Sequence, residues 1–238
     1  FTFLSQILAL FRDRSIAHFI GPSTELDLYY VAFRVPDFIF ISVASLASIT
    51  VLIPFIVDKM RGGEVTEEAK KLLNNVFTVF LGVMIFVSVL AFFAMPYLIH
   101  IVAPGFDAGM QEKIIVLSRI MLLSPILLGL SNLFGTITQL FQKFFLYALS
   151  PIFYNIGILV GVVFLYPMFG IYGVVFGVVL GALLHFVIQF SSSFGCNFSP
   201  AFNFDIDWKE IKNIALNSLP RTLGLSFNNI ALIFIIAF

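Results

Sequence analysis

The chain has 238 residues, of which 60% are apolar and 11% are charged, and its mean hydropathy is +1.06. Water-soluble domains are about 45–50% apolar and about 25% charged, so this composition excludes a water-soluble fold and indicates a membrane protein. The formal net charge of zero gives no basic surface for nucleic acid, and the single Cys196 excludes an internal disulfide bond.

Seven apolar segments are long enough to cross a bilayer, which takes about 20 helical residues. They are too long and too continuous for barrel strands, so we expect an all-α, polytopic transmembrane helical bundle. The predicted segments are Phe1–Ile20, Asp27–Val57, Leu72–Val102, Ile114–Phe141, Tyr147–Tyr166, Gly170–Phe194 and a last one from near Asp207 to Phe238. Both ends of the chain fall inside apolar runs without the features of a signal peptide, so we expect a piece of a longer protein.

The basic residues are distributed unevenly among the loops. Only Lys113 lies in the loops after the first, third and fifth segments. The loops after the second, fourth and sixth segments hold seven basic residues: Lys59, Arg61, Lys70, Lys71, Lys143, Lys209 and Lys212. Because cytoplasmic loops carry an excess of Lys and Arg, we expect the even-numbered segments to end in the cytoplasm.

Charged residues interrupt the first two segments. A charge at the centre of a bilayer costs roughly 2.5–3.5 kcal/mol on insertion scales, so these residues need one another, water or a ligand. Arg12 and Asp13 are the pair expected to line an interior, and Asp27, Arg34 and Asp37 are spaced to share one helix face. We therefore expect a hydrated, charged cavity between the first two helices. A structural ion network without a ligand, or an interfacial anchor, is the alternative.

Several local patterns predict how the helices begin, bend and pack. Small residues at every fourth position, Gly157 and Gly161 in the fifth segment and Gly173, Gly177 and Gly181 in the sixth, predict a close helix–helix contact. Ser23 or Thr24, Thr66 and Asp207 are predicted helix caps. Prolines within the segments predict kinks, which either surround a cavity or reflect the ordinary abundance of proline in membrane helices.

The sequence has no pattern typical of a metal or catalytic centre. His100 and His185 are isolated, and no Ser/His/Asp grouping or HExxH motif is present. We therefore expect no metal, no cofactor and no enzymatic activity. Asn155 is predicted to form a hydrogen bond between helices, and Arg221, which follows Pro220, is a further charge at membrane depth.

Five stretches of the chain carry a family resemblance. They are LSQILALFRDRSIAHFIG at 4–21, ELDLYYVAFRVPDFIF at 25–40, APGF at 103–106, the long run RIMLLSPILLGLSNLFGTITQLFQKFFLYALSPIFYNIGIL at 119–159, and LPRTLGL at 219–225. Together they resemble the MurJ/MviN family of lipid II flippases, part of the multidrug/oligosaccharidyl-lipid/polysaccharide exporter superfamily. The resemblance extends over essentially the whole chain.

The resemblance implies a two-lobe transporter of fourteen helices. Residues 1–206 would be the six-helix N-terminal lobe, and 207–238 the truncated start of the second lobe, in helix seven. Such proteins move lipid II, the undecaprenyl-diphosphate-linked peptidoglycan precursor, across the bacterial inner membrane by alternating access, and no bond is made or broken. The implied partners are a lipid-linked diphosphate sugar and membrane lipids, with a coupling cation as a further candidate.

The resemblance also implies a substrate-binding set: Gln6, Arg12, Asp13, Asp27, Arg34, Asp37 and Arg221. Its arginines would contact the headgroup phosphates, and its acids would balance their charge. This chain departs from the family pattern where cations are usual, with Gln6, Phe40 and Ile41 in place of arginines, and it has Ser45 in place of a glutamate. A diphosphate would therefore meet a weaker positive field than in typical members.

Three functions stay open at this stage. The leading one is lipid II flipping. An exporter of another polyprenyl-diphosphate-linked sugar, or a cation-coupled antiporter of the same superfamily, is the second. A membrane scaffold that transports nothing is the third, and the missing arginines are the observation in its favour.

Overall fold

The computed structural model describes residues 2–44, 49–60, 65–194 and 201–237, and their regular structure is helical throughout. The helices are α1 (Thr2–Phe19), α2 (Thr24–Ala44), α3 (Ile49–Val57), α4 (Glu67–Val102), α5 (Ala108–Met121), α6 (Leu123–Leu140), α7 (Phe144–Val160), α8 (Tyr166–Phe169), α9 (Ile171–Phe194) and α10 (Trp208–Ala237). One π-helical turn, Gly161–Leu165, joins α7 to α8. The predicted all-α bundle is confirmed.

Four of the helical segments are long and apolar enough to cross a membrane: Glu67–Val102, Ala108–Leu140, Phe144–Phe169 and Ile171–Phe194. The segments α1 and α2 are not in this set, because every long window within them holds at least three charged residues. The two segments that carry the predicted site are thus the ones that composition alone marks as poor lipid-facing helices.

One predicted segment is interrupted where the backbone cannot continue an ideal helix. The second predicted segment is described as α2 and α3, and residues 45–48 between them lie outside the described residues. The fourth breaks at Leu122, between α5 and α6, four residues after Ser118 and three before Pro125. Pro125 has no N–H to bond the carbonyl of Met121, so this break has a direct local cause.

The glycine repeats form the contact between α7 and α9, as predicted. A Cβ atom on Gly161 would lie 2.5 Å from the Cα of Gly177, and one on Gly157 would overlap the backbone of Gly181. Such distances leave no room for any side chain, so glycine alone permits this approach. The contact fixes α7, and with it the side chains that α7 presents to the candidate site.

Two of the loops with predicted cytoplasmic lysines, those before α4 and before α10, meet at one end of the bundle, which we call the lysine-rich end. Lys59, after α3, forms an ion pair with Glu210 of α10 at 3.0 Å, and Lys71 of α4 forms one with Asp205 at 2.6 Å. Thr66 caps α4 through the amide of Ala69, as predicted.

Residues 201–207, which we call the strap, connect to α10 and lie along the start of α4. Asn203 donates its side-chain amide to Asn75 at 2.6 Å and its backbone N–H to Thr78 at 3.0 Å. The backbone N–H of Ala201 donates to Asn74. Asp207 accepts bonds from the amides of Lys209 and Glu210, which confirms the predicted cap of α10. The strap therefore ties α10 to α4 by hydrogen bonds.

Candidate substrate-binding cavities

Two cavities adjoin α2, and the predicted charged residues are divided between them. The inner cavity, about 380 Å³, is lined by α1, α2, α7 and the α5–α6 junction. Its lining is Arg12, Asp13, Ile16, Tyr29, Tyr30, Phe33, Pro36, Asp37, Phe40, Met121, Ser124, Pro125, Leu128, Tyr154 and Ile158. The outer cavity, about 520 Å³, is lined by Asp27, Tyr30, Val31, Arg34 and residues 102–106. Tyr30 lines both, so the two spaces are neighbours.

Arg12 is held in the inner cavity by contacts on two sides. Its Nη2 atom lies 2.7 Å from Oδ1 of Asp13, and its Nε donates to the same oxygen at 2.8 Å. Its Nη1 donates to Oδ1 of Asn155 on α7 at 2.9 Å. Asn155 in turn donates to the carbonyl of Pro151. The interhelical bond predicted for Asn155 is therefore present, and its partner is the guanidinium group.

Asp37 lines the same cavity from α2, about 20 Å along the helix from Thr24 at 1.5 Å per residue. That distance is well inside a hydrocarbon layer of about 30 Å. No cation lies within 4 Å of its carboxylate among the described residues. The inner cavity thus holds one cation and two carboxylates, and the cation is paired with Asp13.

Asp27 and Arg34 lie in the outer cavity, which corrects the expectation of a single shared stripe. The angular offset from position 27 to position 37 is about 80° at 100° per residue, enough for the two ends of the stripe to face different spaces. Arg34 forms no ion pair within 4 Å in the described part of the chain, so the acid–base–acid stripe does not neutralise itself. Asp37 joins Arg12 and Asp13 instead.

Gln6 and Arg221, the two remaining predicted residues, are not among the residues that line these cavities. Gln6 is exposed on α1, seven residues before Asp13 and on the same face. Arg221 belongs to α10, but its side chain lies outside the described residues, as does Ser45. Phe40, which replaces an expected arginine, lines the inner cavity with its ring, and Ile41 is half-buried.

Sequence reasoning missed the tyrosines of the inner cavity and the hydroxyl of Ser124. Tyr30 lies seven residues before Asp37, so helical spacing alone places it on the same face. Tyr29 is buried beside them on α2, and Tyr154 comes from α7. The side chain of Ser124 is 4% exposed, and its Oγ has no hydrogen-bond partner. All four residues belong to the lining of the inner cavity.

Polar side chains from neighbouring helices bond the carbonyls that prolines leave free. Pro36 cannot donate to the carbonyl of Ala32, and the hydroxyl of Ser118 on α5 donates to it at 3.0 Å. Gln189 of α9 does the same for the carbonyl of Tyr147, four residues before Pro151, at 3.4 Å. The carbonyls freed by Pro36 and Pro151 are therefore bonded by side chains of the helices beside α2 and α7.

Arg119 on α5 donates a hydrogen bond to a third carbonyl that a proline leaves free. Unlike Arg12 and Arg34, it lines neither cavity. Its Nε donates at 3.0 Å to the carbonyl of Phe92, which Pro96 leaves without a backbone partner. Its guanidinium carbon lies 4.7 Å from the centre of the Phe92 ring, a cation–π distance. Both contacts are made to Phe92 of α4, away from the two cavities, which indicates a structural role for Arg119.

No group of three or more His, Cys, Asp or Glu side chains that could hold a metal ion occurs among the described residues. His185 instead bonds the hydroxyl of Ser131 at 2.6 Å, between α9 and α6. The arrangement offers charged and hydroxyl groups around open space at membrane depth, which suits recognition of a polar ligand.

Comparison with known proteins assigns the chain to a family. The family model for the lipid II flippase MurJ matches residues 16–238. The chain is 30% identical over 172 residues to the lipid II flippase MurJ of Thermosipho africanus, covering 71% of this chain and 34% of that one. It is 25% identical over 169 residues to the lipid II flippase MurJ of Burkholderia cenocepacia, covering 70% of this chain and 33% of the relative.

A solved structure supports the same assignment. The lipid II flippase MurJ in an inward closed conformation superposes with a TM-score of 0.72 at 27% identity, covering 98% of this chain and 46% of that one. The chain spans about a third of the length of the curated relatives it matches. Because the family model covers nearly all of the sequence, the chain belongs to the lipid II flippase MurJ family.

Proposed function

We propose that this chain forms the headgroup-binding first lobe of a flippase that moves lipid II across the bacterial inner membrane. The observation that carries the proposal is the inner cavity, in which Arg12 is fixed at membrane depth by Asp13 and Asn155. Membership of the MurJ family and the names of its relatives supply the substrate class. Residues 1–206 would be the first lobe and 207–238 the start of the second.

Arg12 would bind a phosphate of the headgroup. A guanidinium group has five N–H donors in a planar fork that matches phosphate oxygens, and the protein contacts of Arg12 leave donors free. The ion pair between Asp13 and the Arg12 guanidinium would break when phosphate binds and form again when phosphate leaves. The cation would thus be paired in both states, which lowers the cost of keeping it in the membrane.

Arg34 would act at a second stage, from the outer cavity. It has no carboxylate partner within 4 Å in the described residues, and Tyr30 connects its cavity to the inner one. An anionic headgroup leaving Arg12 would meet Arg34 next on the way to the end opposite the lysines. With the lysine-rich end in the cytoplasm, this order corresponds to outward movement by alternating access, without covalent chemistry.

A different polyprenyl-diphosphate-linked sugar is the second candidate cargo. The inner cavity holds more carboxylates than cations, and Phe40 lies where a family arginine is expected. Both features depart from the headgroup contacts that the family resemblance implies, which favours a related lipid with a different headgroup.

Complementation of a bacterium depleted of its own MurJ tests the proposal against this second candidate. We expect the full-length protein to restore growth and peptidoglycan synthesis, and Arg12→Ala to abolish the rescue at equal expression. Arg14→Ala is the matched control, since Arg14 is an exposed neighbour on α1 that lines neither cavity. Absence of rescue by correctly inserted wild-type protein would favour another lipid-linked sugar.

A further inference from the structure

The loop between α4 and α5, residues 103–106, forms one wall of the outer cavity. Gln111, in the first turn of α5, fixes the shape of this loop. Its side-chain amide donates to the carbonyl of Ala103 at 3.1 Å and to the carbonyl of Phe106 at 3.0 Å. The backbone N–H of Ala103 bonds the carbonyl of Ile99 at 2.8 Å. Both ends of the loop are therefore held in place before a ligand binds, which lowers the entropy that binding costs.

The middle of the loop leaves backbone groups and space open at the edge of the cavity. Pro104 and Gly105 are exposed, and the Gly105 N–H and the carbonyls of both residues form no hydrogen bond within the described part of the chain. The fold does not require glycine at position 105. Its φ angle is outside the left-handed region, and a Cβ atom there would meet no atom within 4 Å. A glycine of this kind lets a ligand approach the backbone closely.

The helix α2 lines the same cavity with Asp27 and Arg34, which are seven residues apart on one face. At 1.5 Å per residue, their Cα atoms are about 10 Å apart along the helix axis, and Tyr30 lies between them. An ionised carboxylate only accepts hydrogen bonds, so Asp27 would repel a phosphate and would bind a hydroxyl or an amide N–H. The cavity therefore suits a ligand that is anionic at one end and rich in hydrogen-bond donors at the other.

We propose that Asp27 and loop 103–106 bind the sugar attached to the diphosphate while Arg34 holds a phosphate, and that Gln111 is the positioning residue of this site. The assignment rests on the proposed function and adds the part of the headgroup that the outer cavity recognises. Sugar hydroxyl groups both donate and accept hydrogen bonds, so one ring can bond the Asp27 carboxylate and the open backbone groups of the loop together. The cavity volume of about 520 Å³ falls within the range of small-molecule sites.

Protection from labelling tests the contact between the sugar and the loop. Gly105→Cys is introduced into the full-length protein without its other cysteines, and a water-soluble maleimide is applied to proteoliposomes. We expect lipid II to slow the labelling several-fold, and undecaprenyl diphosphate, which lacks the sugar, to leave it unchanged. Gly109→Cys is the matched control, because Gly109 is exposed at the start of α5 and lines neither cavity. No protection by lipid II at position 105, or equal protection by both lipids, would overturn the sugar site.

Transport kinetics test the positioning role of Gln111. Gln111→Glu keeps the size of the side chain but removes its N–H donors, so we expect a several-fold higher half-saturating concentration of lipid II at a nearly unchanged maximal rate. Glu112→Gln, on the exposed neighbouring residue, should keep the wild-type values. Wild-type half-saturation in a Gln111→Glu variant of lowered stability would show that Gln111 serves the fold alone.

The same preparations separate this site from the proposed function. Lipid II transport by the wild type is measured beside the labelling of Gly105→Cys. Transport without protection at position 105 refutes the sugar site alone, whereas protection without transport refutes the proposed function alone.

Discussion

The inner cavity and the lysine-rich end hold charges of the same kinds in opposite situations. At the lysine-rich end, Lys71 is paired with Asp205 and Lys59 with Glu210, at distances of 2.6 and 3.0 Å. In the cavities, Asp37 and Arg34 have no ion-pair partner within 4 Å in the described residues. The first group lies at one end of the bundle, whereas the second lines cavities at membrane depth.

The contrast shows which charges are structural. Ion pairs near the surface contribute little to stability, so those at the lysine-rich end serve mainly to position the loops. Arg119 extends the comparison into the membrane, because it contacts Phe92 of α4 and lines neither cavity. A membrane-depth charge is therefore a candidate for function when it lines a cavity, as Arg12 and Arg34 do.

The largest effect is expected from Arg12→Lys. The substitution keeps the positive charge but removes the planar fork that contacts Asp13 and Asn155 together, so headgroup transport should fall to near background. Transport of lipid II into proteoliposomes measures the effect, with Arg14→Lys as the control that keeps wild-type activity. Wild-type transport by Arg12→Lys would mean that only charge, and not geometry, matters at this position.

Arg119→Leu should lower stability without acting on the substrate. Loss of a hydrogen bond from a charged donor costs about 1.5–3 kcal/mol, and here it also leaves the Phe92 carbonyl without its side-chain partner. Unfolding in detergent should show a decrease of that order. Lys113→Leu, near the start of the same helix, serves as the control. Equal stability of both variants would contradict a structural role for Arg119.

Ser118→Ala should have a smaller effect of the same type. The hydroxyl bonds the carbonyl that Pro36 frees, and hydrogen bonds between membrane helices average about 0.6 kcal/mol. The double variant Ser118→Ala with Pro36→Ala should recover stability, since alanine restores a backbone donor for Ala32. If the double variant is no more stable than Ser118→Ala alone, the Ser118 hydroxyl does not compensate for the backbone bond that Pro36 removes.

The smallest effect is expected at the strap and depends on pH. The hydrogen bond and charge of Lys71 lower the pKa of Asp205 below its usual range. The Lys71–Asp205 contact therefore stabilises the folded protein fully above the ordinary carboxyl pKa of about 4. This stabilisation is lost as the pH falls through the lower pKa that Asp205 has in the folded protein. Lys71→Ala should shift the melting temperature slightly at pH 7 and not at all in strong acid. A shift that persists in acid would point to another cause.

Local patterns account for the parts of the fold that sequence predicted. Residue spacing within a few positions was sufficient to predict three features. They are the helical segments, the caps at Thr66 and Asp207, and the glycine faces by which α7 and α9 pack. The grouping of Arg12, Asp13 and Asp37 in one cavity was only partly predictable. It depends on how far α2 is rotated about its axis, which packing against other helices decides.

The contacts that sequence could not supply join distant parts of the chain. A proline reveals which carbonyl is freed, but not that Ser118, Arg119 or Gln189 bonds it, because that requires the arrangement of helices. The strap was unpredictable for the same reason. Asn203 meets α4 across more than a hundred residues of chain.

Transport by Arg34→Ala compared with Lys71→Ala tests the central claim most directly. Both substitutions remove one cation, the first from a cavity where it has no ion-pair partner in the described residues and the second from an ion pair at the lysine-rich end. With the full-length protein in proteoliposomes containing lipid II, we predict a large loss of flipping for Arg34→Ala and wild-type flipping for Lys71→Ala. Wild-type flipping by Arg34→Ala, or an equal loss in both variants, would contradict the claim that the membrane-depth charges lining the two cavities hold the substrate.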